Sequence, residues 1–330
     1  MYQTLIGKDV DKAAAYLQQE ELVAIPTETV YGLAANACSD IAVKKVYAVK
    51  QRPSHNPLIV HIDSFDKLHR YTTAIPAAAK LLMEAFAPGP ITFILPANGR
   101  LSAFVNSRHR QVAFRVPAHP LAEQLLQQLP FPLVAPSANL FTTISPTHPD
   151  HVMKNFNGAI PYILDGGSCS VGIESTVVGF DEKGQPVVYR QGAITAMEIE
   201  VVTGKPVGMN KHDQTLSPGL SIHHYAPRTP LFLLHEGASI PEDWGHNRTG
   251  ILCFSQYRHE FPKKHQFVLT AGRQPSVAAQ NLYKGLHYLD ELKLDVLFAE
   301  ICPPDQLGSA INDRLQRAAH RAAPVAAVLH

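Results

Sequence analysis

No two of the four cysteines, Cys38, Cys169, Cys253 and Cys302, form a C-x-x-C pair or stand at any zinc-binding spacing. Isolated cysteines in a chain of 330 residues argue against a disulfide framework and fit a reduced compartment, so a cytoplasmic location is expected. Apolar runs are short. None approaches the roughly 18 residues of a membrane-spanning helix, and Met1-Tyr2-Gln3-Thr4 opens no basic-then-apolar leader. A charge imbalance is missing too. Lys and Arg number 29 against 28 Asp and Glu, a net +1, which excludes the strongly basic footprint of a non-specific DNA binder and leaves room for a local basic cleft. The Walker A pattern, a Gly-x-Gly-x-x-Gly turn after a strand, the nucleophile elbow and H-E-x-x-H are all absent, and no metal site is expected.

What is present is a globular balance, with 45% hydrophobic and 17% charged residues and enough apolar material for two cores. Proline is abundant, 26 residues or about 8%, which implies many rigid turns. In the first 200 residues, short apolar runs alternate with helical patterns. Strands are expected at 22–25, 58–62, 91–95, 112–116, 133–135, 160–164, 175–180 and 186–189. Helices are expected at 40–50 (Asp40 as N-cap), 75–86 and 120–129. The alternation predicts α/β architecture. Residues 204–230 hold Lys205-Pro206, Ser217-Pro218-Gly219, Pro227 and Pro230 with little periodicity, and read as a linker. Beyond them, strands at 231–234, 249–254, 266–269 and 296–300 and helices at 276–289 and 308–320 make a smaller α/β unit. The expected domains are therefore 1–203, a linker or lid at 204–230, and 231–330.

Several features read simply as structure. Asp165-Gly166-Gly167 suits a tight turn, and His148 and His151 suit a surface helix. His223-His224 is as readily a solvated pair as a site. Four segments carry more. Ile25-Pro26-Thr27-Glu28-Thr29-Val30-Tyr31-Gly32 runs from a strand into a hydroxyl-rich turn with one acid, where open α/β sheets meet ligands. Lys50-Gln51-Arg52-Pro53-Ser54-His55-Asn56-Pro57 places two cations and an amide at a helix end. They either complement the helix dipole or hold a polyphosphate, Arg as a fork and Lys as a point charge. Lying beside a proline-rich turn, Lys50 and Arg52 are expected outside the core. Pro136-Ser137-Ala138-Asn139 follows a strand and suits a capped turn or a ligand loop. Glu174-Ser175-Thr176 enters a strand for which Thr and Val have high propensity, and Arg190 ends a later one.

Together, in this order and spacing, these segments resemble the YrdC-like threonylcarbamoyl-AMP synthases in their long form, with a linker and an appended C-terminal domain. Ser217-Pro218-Gly219 and His224-Tyr225-Ala226-Pro227 resemble that form's linker motif. The resemblance implies a twisted mixed α/β sheet with an open concave cavity, followed by a smaller Rossmann-like domain. It implies an enzyme, a nucleotidyltransferase that joins L-threonine, bicarbonate or CO₂ and ATP into threonylcarbamoyl-adenylate and pyrophosphate. A partner transferase complex would then modify an adenosine beside the anticodon of tRNAs reading ANN codons, with a weak direct tRNA contact and no membrane. Mg²⁺ would arrive with ATP, and no organic cofactor would be tightly bound.

Position by position, Thr29, His61, Arg115, Ala135 and Ser175 match the family's threonine-binding residues. Lys50, Arg52, Asn56, Ser137, Asn139, Ser145 and Arg190 match its nucleotide residues, with Lys50 and Arg52 as the catalytic charges. Tyr225 matches the linker tyrosine that closes over the nucleotide. Departures are Gln111 where Thr is usual, Arg190-Gln191-Gly192 for Arg-Pro-Gly, and Phe141-Thr142-Thr143-Ile144 for a small, basic stretch. Competing readings are a double-stranded RNA or tRNA binder without catalysis, and a carbamoyltransferase on a related fold.

Overall fold

The computed structural model describes residues 2–106, 110–210, 224–235, 238–240, 244–305 and 307–319. The chain divides into two units, Met1–Phe141 with Ser145–Leu220, and Thr142–Ile144 with Ser221–His330. Ser217-Pro218-Gly219, His223 and most of the Ala318–Ala327 tail lie outside the described residues.

In the first unit the described residues form eleven strands. They are β1 (Leu5–Gly7), β2 (Val23–Ile25), β3 (Gly32–Asn36), β4 (Ile59–His61), β5 (Ile91–Pro96), β6 (Gln111–Arg115), β7 (Leu133–Val134), β8 (Tyr162–Leu164), β9 (Thr176–Phe180), β10 (Pro186–Arg190) and β11 (Gly208–Met209). They make one mixed sheet in the order β1-β8-β2-β3-β7-β4-β6-β5-β9-β10-β11. Six helices accompany them: α1 (Val10–Gln18), α2 (Asp40–Lys50), α3 (Ala77–Phe86), α4 (Pro120–Gln128), α5 (Pro149–Phe156) and α6 (Ala196–Thr203).

The strand pleat sorts the core by face. Ala24, Leu33, Ala35, Val60, Phe93, Phe114 and Val134 join the large core with residues of α2, α3 and α5. Their neighbours Val23, Ile25, Ala34 and Leu133 face the other way, into a second core with α1 and α4. At the centre of that second face the helices give way to a small cluster of Ile59, Ile94, Ala113 and Val177.

The structure corrects one cap. Ser39, not Asp40, caps α2, its Oγ accepting from Ala42 N, while Asp40 in the first turn accepts from Ser102 Oγ at 2.5 Å. His148 caps α5 and His151 lies within it.

In the second unit the described residues form four parallel strands, β12 (Leu231–Leu234), β13 (Thr249–Cys253), β14 (Gln266–Val268) and β15 (Val296–Glu300), in the order β12-β15-β13-β14. Helix α7 (Pro275–Glu291) packs on β13 and β14, α8 (Gly308–Ala319) packs on β12, and the two helices touch. Leu234, Ile251, Cys253, Val296 and Phe298 fill the opposite face with Trp244 and Phe232. No helix of the described residues is long and apolar enough to cross a membrane.

Candidate active site

The sparsely covered sheet face at Ile59 and Ala113 carries the polar side chains. His61 lies two residues beyond Ile59 and Arg115 two beyond Ala113, so the pleat puts both on this face, and they are paired across β4 and β6. Both are buried. Burial, and then the Arg115 charge, lowers the His61 pKa to about 3, so the imidazole is neutral. Arg115 Nη2 stands 2.7 Å from Glu28 Oε1, and its Nε donates to Gly89 O. Glu28 Oε2 is buried with no hydrogen-bond partner among the described residues.

The turn between β2 and β3 is locked by its own threonines. The hydroxyls of Thr27 and Thr29 hydrogen-bond at 2.8 Å, and Thr27 Oγ1 also donates to Val30 O. Tyr31 pins this turn to the Asp165–Gly172 loop, its hydroxyl donating to Gly167 O and accepting from Gly166 N. Ala135 follows β7, and its N–H donates to Ile59 O. Gly32 is required here, because a Cβ would stand 2.9 Å from that of Ala135.

Ser175 meets Thr92 at 2.7 Å through their hydroxyls. Arg190 Nη2 donates to Ser175 O at 3.0 Å and to Ser175 Oγ at 3.2 Å. Regular alternation would turn Arg190 to the face of Val188, which belongs to the large core. Instead the register shifts between them, so that Val188 pairs with Val178 and Arg190 with Val177. This β-bulge re-aims the arginine onto the face of Ser175. Gly192 sits where a Cβ would meet Thr176 N at 2.4 Å, so the tight turn survives with Gln191 in place of proline. Ser145 Oγ donates to Glu174 Oε1 at 2.7 Å, beside Ser175.

Lys50 and Arg52 are buried, against the expectation for residues beside a proline-rich turn. The reason is a positive-φ residue, Gln51 (φ +53), which ends α2 and folds the chain back. The Lys50 ammonium donates to Ser137 O at 2.5 Å and Asn139 O at 2.6 Å, tying the two motifs together. Burial, then the Arg52 charge, pushes the Lys50 pKa well below the usual lysine range. Arg52 Nη2 donates to Asn56 Oδ1 at 2.6 Å and to Pro57 O.

The structure thus joins Lys50 with the Ser137–Asn139 loop, Arg52 with Asn56, Ser145 with Glu174, Ser175 with Arg190, and His61 with Arg115. Tyr225 belongs to the second unit, buried, at φ +65, its ring 5.7 Å from that of Tyr283. Glu28 and Thr92 also belong to this constellation. Glu28 stood in a recognised motif without a role. Thr92 left no signal, since a threonine within Ile91-Thr92-Phe93-Ile94-Leu95 is ordinary strand material.

A family model described as "Telomere recombination", covering the Sua5, YciO and YrdC proteins, matches residues 15–192. A second, "Threonylcarbamoyl-AMP synthase, C-terminal domain", matches residues 194–320. The chain belongs to the Sua5-type threonylcarbamoyl-AMP synthase family. A Threonylcarbamoyl-AMP synthase of Bacillus subtilis (strain 168) is 41% identical, covering 94% of this chain and 92% of the relative. One of Pyrococcus abyssi is 36% identical, covering 93% and 92%. The crystal structure of P. abyssi Sua5 complexed with L-threonine superposes with a TM-score of 0.86 at 33% identity, covering 97% of each chain. E. coli YciO, at 19% identity and a TM-score of 0.51, covers 60% of this chain and shares the fold. Membership makes the chain an enzyme of the threonylcarbamoyl-adenylate reaction and fits the tRNA-modification role of the family.

Proposed function

We propose that the first unit is a nucleotidyltransferase that condenses L-threonine, bicarbonate or CO₂ and ATP into L-threonylcarbamoyl-adenylate and pyrophosphate. The observation that carries this reading is one sheet face that combines a buried arginine, a neutral histidine and hydroxyls with further buried cations nearby. Arg115 suits the amino-acid carboxylate. Thr29, His61 and Ser175 suit its β-hydroxyl, and Ala135 leaves room for the methyl. Lys50, Arg52, Asn56, Ser137, Asn139, Ser145 and Arg190 suit the nucleotide.

Threonine's amine adds to CO₂ to give a carbamate. A carbamate oxygen attacks the α-phosphorus of ATP, the bond to the bridging oxygen breaks, and pyrophosphate leaves with the electron pair. No covalent enzyme intermediate is required, so the work is positioning and charge neutralisation. The described residues contain no His, Cys, Asp and Glu group suited to a metal ion, and Mg²⁺ belongs with ATP as part of the substrate. Tyr225 is assigned to the nucleotide, and residues 204–230 to a lid, by resemblance to the long form. The product's mixed anhydride would be consumed by a transferase complex acting on tRNA, in the cytoplasm.

Burial of Lys50, Arg52 and Arg190 speaks against an RNA-binding module without catalysis, which presents its cations to a phosphate backbone at the surface. The deciding experiment is pyrophosphate release from ATP with threonine and bicarbonate omitted in turn. Release that persists without either co-substrate would overturn the reading.

A further inference from the structure

The second unit has a cavity of its own. Its volume is about 310 Å³, and it is lined by Phe254, Arg273, Pro275, Cys302, Pro303, Asp305, Gly308 and Ile311. The fold explains its position. From β13 the chain proceeds to β14 on one side of the sheet. From β15 it enters α8, which packs on β12 on the other side. The two connections leave the C-terminal ends of the adjacent strands β13 and β15 in opposite directions, and the space between them stays open. That is the switch point of a parallel sheet, where open α/β folds hold ligands. Phe254 directly follows β13, and Cys302 and Pro303 follow β15.

The walls are preformed. Asn312 accepts from Cys302 N at 2.9 Å and donates to Cys302 O at 2.8 Å, fixing the exit of β15. A Cβ on Gly308 would stand 1.7 Å from Pro303 O, so the loop into α8 closes only over glycine. Phe254, Cys302 and Ile311 form a buried, largely apolar floor. The rim is charged. The Arg273 guanidinium lies 5.2 Å from the centre of the Phe254 ring and donates to Ser255 Oγ at 3.2 Å, and Asp305 also lines the cavity, its Oδ1 3.7 Å from where a Gly308 Cβ would stand.

We propose that this crevice binds a phosphate ester of mononucleotide size. Its flat body would occupy the cavity beside the Phe254–Arg273 pair, its hydroxyls would donate to Asp305, and its phosphate would meet Arg273. A volume near the lower end of the range for small-molecule sites, about 300–1,000 Å³, suits a mononucleotide and is too small for a dinucleotide. Helix α7 begins beside Arg273 with no side-chain cap, which leaves its positive end to the same phosphate. The site is built from residues of the second unit alone and does not depend on the assignment of the nucleotide residues of the first.

The test is hydrogen–deuterium exchange on the full chain with 5′-AMP, adenosine and inorganic phosphate as separate probes, read on the peptides containing Phe254 and Cys302. AMP is expected to protect both peptides in the wild type and in Arg190→Met, a variant of the first unit. Adenosine should bind at least about tenfold more weakly. Arg273→Asn removes the cation while tolerating the left-handed backbone at that position (φ +51), and should weaken AMP by about tenfold without altering adenosine. Three results would overturn the proposal: no protection by any probe at millimolar concentration, adenosine acting as strongly as AMP, or protection lost in Arg190→Met and kept in Arg273→Asn.

Discussion

Arg115 and Glu28 form an ion pair, Nη2 to Oε1 at 2.7 Å, with both side chains about 95% removed from solvent. The arginine that suits the threonine carboxylate is therefore already held by a carboxylate of the Pro26–Gly32 turn. One Glu28 oxygen faces Arg115, and the other has no partner among the described residues. The pair sets the arginine's position and leaves an acceptor beside it.

Breaking this pair from one side is expected to be costly. Glu28→Gln should lower the unfolding free energy by about 3–5 kcal/mol, because it strands a buried guanidinium. Replacing both partners, Glu28→Gln with Arg115→Met, should recover much of that loss. Urea denaturation of the three variants measures it. Arg115→Met should also raise the threonine KM while leaving the ATP KM nearly unchanged. An increase in the ATP KM instead would remove Arg115 from the carboxylate role.

Lys50 bridges the two nucleotide motifs through the carbonyls of Ser137 and Asn139. Lys50→Met should slow adenylate formation by about 100-fold or more, and the two stranded carbonyls should cost about 1–3 kcal/mol of stability. Lys50→Arg should not rescue, because a planar fork cannot replace a compact ammonium between two carbonyls. Burial and Arg52 press the lysine toward its neutral form, while a polyphosphate favours the charged one. A nucleotide phosphate is thus expected to raise the Lys50 pKa, so that binding weakens once pH rises far enough for the free enzyme's lysine to lose its proton. Calorimetry over a pH series in two buffers of different ionisation enthalpy reads the linked proton.

His61 gives the first unit an acid-sensitive element. Its folded pKa of about 3 lies below the ordinary value of 6.5. Between those values the unfolded chain binds a proton that the folded chain refuses, so stability rises with pH across the window and is lost as pH falls below 6.5. From pH 7 to pH 5 this group should remove about 2 kcal/mol. Denaturation of wild type and His61→Gln at both pH values tests the claim. An identical loss in both proteins would show that other groups carry it.

Substrate choice should follow the hydroxyls more than the methyl. A site built to hydrogen-bond a hydroxyl rejects an analogue lacking it strongly, whereas one methyl is worth about 1–3 kcal/mol. Serine should therefore support slow pyrophosphate release, and valine or 2-aminobutyrate far less. Valine matching serine would mean that Thr29, His61 and Ser175 do not hold the β-hydroxyl.

Much of this was legible in the chain. The buried strands around Ile25, Val60, Phe93 and Phe114 announce themselves by β-branched and aromatic runs, and α2 and α7 by their period. Motif order brought the candidate residues to one set before any geometry was known. The short β1 and β11, together with α1, β3 and α6, were not read as elements, and α5 was read only as a surface helix at His148 and His151. The first two are too short to show a period, and Gly32-Leu33-Ala34-Ala35-Asn36 is poor in β-branched residues and pairs as a strand only because β2 and β7 flank it. Burial of Lys50 and Arg52 was equally hidden, since it depends on the left-handed turn at Gln51 and on carbonyls more than eighty residues away.

The bulge before Arg190 means that the charge beside Ser175 is specified by residue count as much as by residue type. With one residue more between Val188 and Arg190 and the bulge kept, the same arginine would stand opposite Thr176 and project into the apolar core on the far side of the sheet. Exchanging side chains one at a time would never expose that dependence. Inserting one residue after Tyr189 would, because every functional group remains in the chain and one of them is delivered to the wrong face.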